Sequence, residues 1–191
     1  MSSLHNLSLE SSLYEFLIEI DRELAEKVQR SGCAHCLGRL HHGDYPRKPR
    51  GLPTTELDDA YSQRFSFCCG RDGCRRRATP PSVRFAGRKV YVAAVWILAC
   101  TAMGTRVSRR QCDAWRQQAQ VSFRTIVRWL NWWRSQFVET TLWRQKGHFF
   151  MPPVDMSLVP ASLFERFNDA SSLQSMLRFV APMSTQSVQV A

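Results

Sequence analysis

Cys33-Ala-His-Cys36, and further along Arg64-Phe-Ser-Phe-Cys-Cys69-Gly-Arg-Asp-Gly-Cys74-Arg-Arg-Arg77, are the stretches on which the fold turns. Two cysteines separated by two to four residues can supply two ligands from one tight turn, and two such turns complete a tetrahedral four-thiolate zinc site. Cys33 and Cys36 form the first knuckle. In the second, Cys68 and Cys69 both precede Cys74. On a strand Cys69 shares its face with Phe65 and Phe67, and glycines bend the path from Cys69 to Cys74, so Cys69 is the expected ligand and Cys68 the alternative. His35, His41 and His42 lie close enough in sequence to replace a thiolate. Cys100 and Cys112 stand alone and are expected to be packing residues.

The segment between and around the knuckles explains why a metal is needed. Pro46, Pro49, Pro53, Pro80 and Pro81 exclude a long helix from Cys33 to about Arg88. Gly38–Tyr45 and Arg64–Cys69 read as strands. So little apolar surface would be buried here that a bound ion is the expected source of stability.

Helical periodicity flanks this ribbon. Leu13, Phe16, Leu17, Ile20, Leu24 and Val28 recur at three- and four-residue steps, which predicts one amphipathic helix over Leu9–Arg30, ended by Gly32. Its apolar stripe must be covered by the rest of the chain or by a second copy. Beyond the ribbon, three helices are predicted over Arg88–Thr101, Ser108–Gln118 and Ser122–Trp143. All six tryptophans lie between Trp96 and Trp143, which places the main core there. Pro160–Phe167 and Ser171–Val180 read as short helices, and Ala181–Ala191 as a disordered tail. The expected class is α+β, mostly α, in four segments: residues 1–31 an amphipathic helix, 32–87 a zinc ribbon, 88–146 a helix-turn-helix unit and 147–191 an extension.

Charge points to the partner. The chain has 191 residues and a formal charge of +10. Residues 1–26 hold six acidic side chains and one basic one, which leaves 25 basic against 10 acidic over the remainder, and arginine outnumbers lysine 22 to 4. Guanidinium forks suit phosphate oxygens and guanine edges. The short gap between the second and third predicted helices outlines a helix-turn-helix. Wound at 100° per residue, the third places Phe123, Ile126, Leu130, Trp133 and Phe137 on one side. Arg124, Arg128, Asn131 and Ser135 fall opposite, chemistry suited to reading bases in a major groove. Arg75, Arg76, Arg77, Arg84, Arg88, Lys89, Arg109 and Arg110 are assigned to phosphate contacts.

The order CAHC, RFSFCCGRDGC, a basic linker and helices ending in VSFRTIVRWLNWW resembles the N-terminal part of bacterial insertion-sequence transposases. That resemblance implies a zinc ribbon with Cys33, Cys36, Cys69 and Cys74 as ligands, and a helix-turn-helix with Arg124, Thr125 and Arg128 at base-reading positions. Such transposases cut DNA with a ribonuclease-H-like domain, for which the 48 residues after Trp143 are too few.

The expectation is therefore a non-catalytic, zinc-dependent protein of double-stranded DNA, tied to a mobile element or to transcription control. It would act as a homodimer through its N-terminal helix, or beside a transposase or recombinase. The competing expectation is an adaptor that binds such a protein partner through an exposed Trp129–Trp132 flank. No signal sequence or membrane span is read, and reduced thiols suit a bacterial cytoplasmic, nucleoid-associated protein. No nucleophile–base order or phosphate-cradling glycine loop suggests an enzyme.

Overall fold

A 21-residue helix, α1 (Ser11–Ser31), leads the chain into the first knuckle. It belongs to a computed structural model that describes residues 11–47, 59–85, 93–104, 113, 121–167 and 172–185. The helix stops where the sequence said it would. Gly32 adopts φ +74° and its N–H closes on the Gln29 carbonyl at 3.2 Å, and a Cβ there would press the Leu37 carbonyl oxygen at 3.2 Å. Tyr14, Leu17, Ile18, Ile20 and Ala25 are buried, so this chain itself covers the stripe.

Among the described residues five short strands follow, in two sheets. β1 (Leu40–His42), β4 (Phe67–Cys69) and β5 (Arg77–Ala78) form an antiparallel sheet in the order β1-β4-β5. β2 (Tyr45–Pro46) pairs antiparallel with β3 (Gln63–Arg64). The register sets Leu40 opposite Cys69 and His41 opposite Cys68, with Cys68 also facing Arg77. The two predicted strands are thus each broken in two, and β5 is an addition. Asp44 is the cause of one break: its Oδ1 accepts the Ser66 N–H at 2.7 Å, where a continuous ladder would have used a carbonyl.

The helical body surrounds α2 (Ala93–Gly104), which is apolar on every side. A helix of that kind belongs in the middle of a core, and each residue from Ala93 to Thr101 is buried. α3 (Phe123–Ser135) packs on it, and the Trp96 and Trp133 rings stack at 4.9 Å. Trp132 meets both rings edge-on at 5.0 and 5.4 Å. The predicted helix through Trp143 breaks at Gln136. Phe137 is fully buried and packs on Trp133 at 4.6 Å. The Thr140 hydroxyl then accepts the Trp143 N–H at 3.2 Å and caps a new helix, α4 (Thr141–Lys146). The four-residue step from Trp133 to Phe137 spans Gln136, and the apolar spacing lapses only at Thr140 and Thr141.

α5 (Ala161–Phe164) and α6 (Ser172–Val180) close the core near their predicted places. A 3-10 turn at Ala181–Ser184 corrects the expectation of a disordered tail for those residues: Ala181 is buried, and the Ser184 hydroxyl accepts the Ser82 N–H at 2.8 Å. The fold is α+β and mostly α. One apolar cluster draws Tyr14, Tyr61, Trp96, Trp133, Leu163 and Leu177 together, and so spans all four expected segments. A smaller cluster of Ala25, Cys33, Leu40, Phe67 and Cys69 lies under the ribbon.

The two bodies are clamped by a buried ion pair. Asp21, on the α1 stripe, and Arg84 are both 0% exposed, with Nε to Oδ2 at 2.8 Å. Asp21 also accepts the Ser82 hydroxyl at 2.5 Å and the Val83 N–H at 2.7 Å. Arg84 donates to the carbonyls of Ala60, Tyr61 and Gln63 at 3.1, 2.7 and 2.9 Å. Its assignment to DNA phosphates is thereby corrected: every donor faces inward, where no polyanion reaches.

Candidate metal centre

Cys33 stands one residue past the glycine that ends α1, so helix and knuckle form one continuous piece. The Leu37 N–H donates to the Cys33 carbonyl at 2.8 Å and the Cys33 N–H to the Gly38 carbonyl at 2.9 Å. This tight turn points both thiols inward. Leu37 takes φ +57° to close it, a left-handed conformation that costs a non-glycine residue roughly 1–2 kcal/mol. The second turn repeats the device. Gly73 has φ +81° and Arg75 φ +45°, and the Cys74 and Arg75 N–H groups return to the Arg71 carbonyl at 3.1 and 3.4 Å.

These turns bring Cys33, Cys36, Cys69 and Cys74 together with their sulfurs all within 4.8 Å of one another. Cys33 Sγ lies 3.8 Å from Cys74 Sγ, and Cys36 Sγ lies 3.5 Å from Cys69 Sγ. Cys68 is turned away on β4 and hydrogen-bonds the Arg75 carbonyl at 3.4 Å, as strand alternation requires. His35 is exposed, His42 lies by Asp44 and the Phe67 ring, and no histidine joins the sulfur cluster among the described residues.

The electrostatics ask for a cation. N–H groups of His35 and Cys36 stabilise a thiolate at Cys33, whose pKa falls to about 7. At Cys69 the Arg71 N–H acts in the same direction, but burial and the thiols of Cys36, Cys74 and Cys33 outweigh it and push the pKa up to about 12. Cys74 is raised too: the Arg76 N–H lowers it, against the Cys36 thiol, burial and Cys33. Four thiolates this close repel one another, and an ion at the centre removes that repulsion. Four sulfurs and a closed shell can hold one metal ion and leave no position for substrate.

Gly38 packs against the centre. A Cβ there would stand 3.0 Å from Cys69 Sγ and 3.2 Å from Cys36 Sγ. Gly38→Ala is therefore expected to weaken metal retention, roughly tenfold or more as for other changes in the shell around a site; competition with a chromogenic chelator measures it.

The expected nucleic-acid residues sort less evenly. Arg75, Arg76 and Arg77 are exposed on the second knuckle and β5. Arg75 pairs with Asp72 at 2.9 Å and Arg77 covers the Tyr45 ring at 5.4 Å, whereas the Arg76 side chain has no partner among the described residues. On α3, Arg124, Arg128 and Asn131 are exposed. Thr125 is half-buried, its hydroxyl 2.9 Å from that of the cap residue Ser122. Arg88, Arg109 and Arg110 lie outside the described residues, as do most of the helix expected over Ser108–Gln118 and therefore the first half of a helix-turn-helix.

Two expectations for α3 are corrected. Phe123, assigned to the core side, is 51% exposed, and Trp129, assigned to an exposed flank, is 5% exposed. The two residues border opposite edges of the Ile126–Leu130–Trp133–Phe137 stripe, and the core covers the Trp129 edge rather than the Phe123 edge. A Trp129–Trp132 docking flank is accordingly absent. Among the described residues no helix is long and apolar enough to cross a membrane. Comparisons with protein-family profiles, with curated proteins and with solved structures returned no match.

Proposed function

We propose that this chain is a non-catalytic DNA-binding protein whose ribbon is stapled by one zinc ion. The observation that carries the reading is the sulfur geometry beside an arginine-rich turn. Zn–S bonds of about 2.3 Å in a tetrahedron place sulfurs roughly 3.8 Å apart, and two of the pairs here stand at 3.5 and 3.8 Å, with all four sulfurs within 4.8 Å of one another. A closed four-thiolate shell supports a structural ion rather than a catalytic one.

Phosphate contact falls to Arg75, Arg76 and Arg77, which the knuckle fixes in space, with Arg124, Arg128 and Asn131 on the open face of α3 as candidates for base edges. The excess of 25 basic over 10 acidic groups after residue 26 favours a polyanion as partner. DNA binding of this kind suits a role at the nucleoid, in transposition or transcription control. Gel-shift titrations of random duplexes across a salt series test it. Binding is expected to weaken steeply with salt, and replacing Arg75, Arg76 and Arg77 by alanine together should flatten the log–log slope by roughly 0.9 per lost phosphate contact. Salt-independent or undetectable binding would overturn the reading.

A second reading, an adaptor for a recombinase or transposase, draws on Phe149 and Met151, which are 73% and 81% exposed. Under it, DNA affinity would be absent while zinc is retained.

A further inference from the structure

Leu37 carries two unfavourable features at once. Its backbone sits at φ +57°, where glycine is the usual occupant, and its side chain is 83% exposed. The turn requires that backbone, because the Leu37 N–H and the Gly38 carbonyl close it on Cys33. Nothing in the turn requires a leucine. Glycine would relieve the backbone and a polar residue would relieve the surface, yet the sequence holds a four-carbon apolar knob rigidly outward at the tip of the metal knuckle. Strain retained without structural need is a mark of functional positions.

The surroundings of the knob are basic. Arg71 reaches across from the other knuckle to donate to the Cys36 carbonyl at 3.2 Å, directly before Leu37. Arg39 is exposed two residues further on, and Arg75 and Arg76 are exposed on the facing knuckle. The acidic residue of that turn, Asp72, is already paired with Arg75. An exposed apolar knob with Arg71 bonded to the residue before it and Arg39 exposed two residues on matches one ligand chemistry well: stacked bases enclosed by phosphates. Proteins that enter the minor groove insert an apolar side chain between base steps and hold the flanking backbone with arginine.

We propose that Leu37 is a wedge that enters the minor groove of duplex DNA and opens a base step, with Arg39 and Arg71 on the flanking phosphates. This rests on the DNA-binding reading above. The metal turn makes the wedge effective, since a knob held in place before binding loses little freedom when it inserts. Pyrimidine–purine steps, which unstack most easily, are the expected points of entry.

The test uses the full zinc-loaded chain and short duplexes carrying TA steps, labelled at both ends for energy transfer. Wild type is expected to shorten the end-to-end distance by an amount that corresponds to a kink of roughly 20–90°. Leu37→Gly should keep its zinc, melt no lower than wild type, bind roughly tenfold or more weakly and leave the duplex straight. Leu37→Met, which keeps an apolar knob, should restore the bend; Leu37→Ala serves as a second loss variant with an ordinary backbone. A wild-type complex with straight DNA, or a Leu37→Gly complex bent like wild type, overturns the wedge while leaving DNA binding standing. Failure of wild type to bind any duplex overturns the DNA reading and the wedge with it.

Discussion

On the zinc reading proposed above, stripping the metal or replacing Cys69 with serine is expected to unfold the ribbon and leave the helical body standing. Around the knuckles, away from Tyr61 and the Arg84 clamp, little else holds the ribbon. Among the described residues the apolar cluster beneath it has five buried members, and two of them are the knuckle cysteines Cys33 and Cys69. Structural zinc in small folds contributes on the order of 10–16 kcal/mol of folding free energy, more than such a cluster could replace. Without the ion, Cys69 and Cys74 regain protons and the two turns have no common anchor. Hydrogen exchange should then show loss of protection over residues 32–47 and 63–78, with α2 and α3 protected as before. Cys68→Ser is the control: its sulfur lies outside the cluster and hydrogen-bonds the Arg75 carbonyl, so zinc content and stability should stay within about 0.5 kcal/mol of wild type, the range for changes away from such features. Equal losses from Cys68→Ser and Cys69→Ser would contradict the assignment of ligands.

The other large effect belongs to the Asp21–Arg84 clamp. Both side chains are fully enclosed, and removing one partner strands the other charge away from water. Asp21→Ala or Arg84→Ala should each cost about 3–5 kcal/mol, because an uncompensated buried charge is far less stable than the pair. Arg84→Ala additionally leaves the carbonyls of Ala60, Tyr61 and Gln63 without their donor. Replacing both residues with apolar ones of similar size should recover much of the loss. Denaturant titration of the two single variants and the double variant gives the coupling directly. Single variants as stable as wild type would show that the pair is not what joins ribbon to body.

What the sequence disclosed was whatever has a local period or spacing. The bounds of α1 and the C-terminal helices to within a few residues, the existence of α2 (expected over Arg88–Thr101, found at Ala93–Gly104), and the four-cysteine set with Cys69 in preference to Cys68, follow from helical steps, strand alternation and ligand spacing. The breaks were less visible. Trp133 and Phe137 keep the apolar step across Gln136, and the lapse at Thr140 and Thr141, with the cap at Thr140, marks a new helix. Arg84 looked like one more surface arginine because its partner lies 63 positions away. A signal was present all the same: Asp21 falls in phase with Leu17, Leu24 and Val28, and a carboxylate on an apolar stripe demands a buried partner. The exposure of Leu37 had no such signal, since a residue's φ depends on how its turn closes. Residue spacing reached the metal centre, but which arginines face solvent required the fold.

X-ray absorption at the zinc edge of the purified full chain tests the central claim most directly. One ion per chain surrounded by four sulfurs at about 2.3 Å, with no nitrogen or oxygen neighbour, is the predicted spectrum. A protein that takes up no zinc, or binds it with nitrogen or oxygen in the first shell, would contradict the four-thiolate centre and the ribbon built on it.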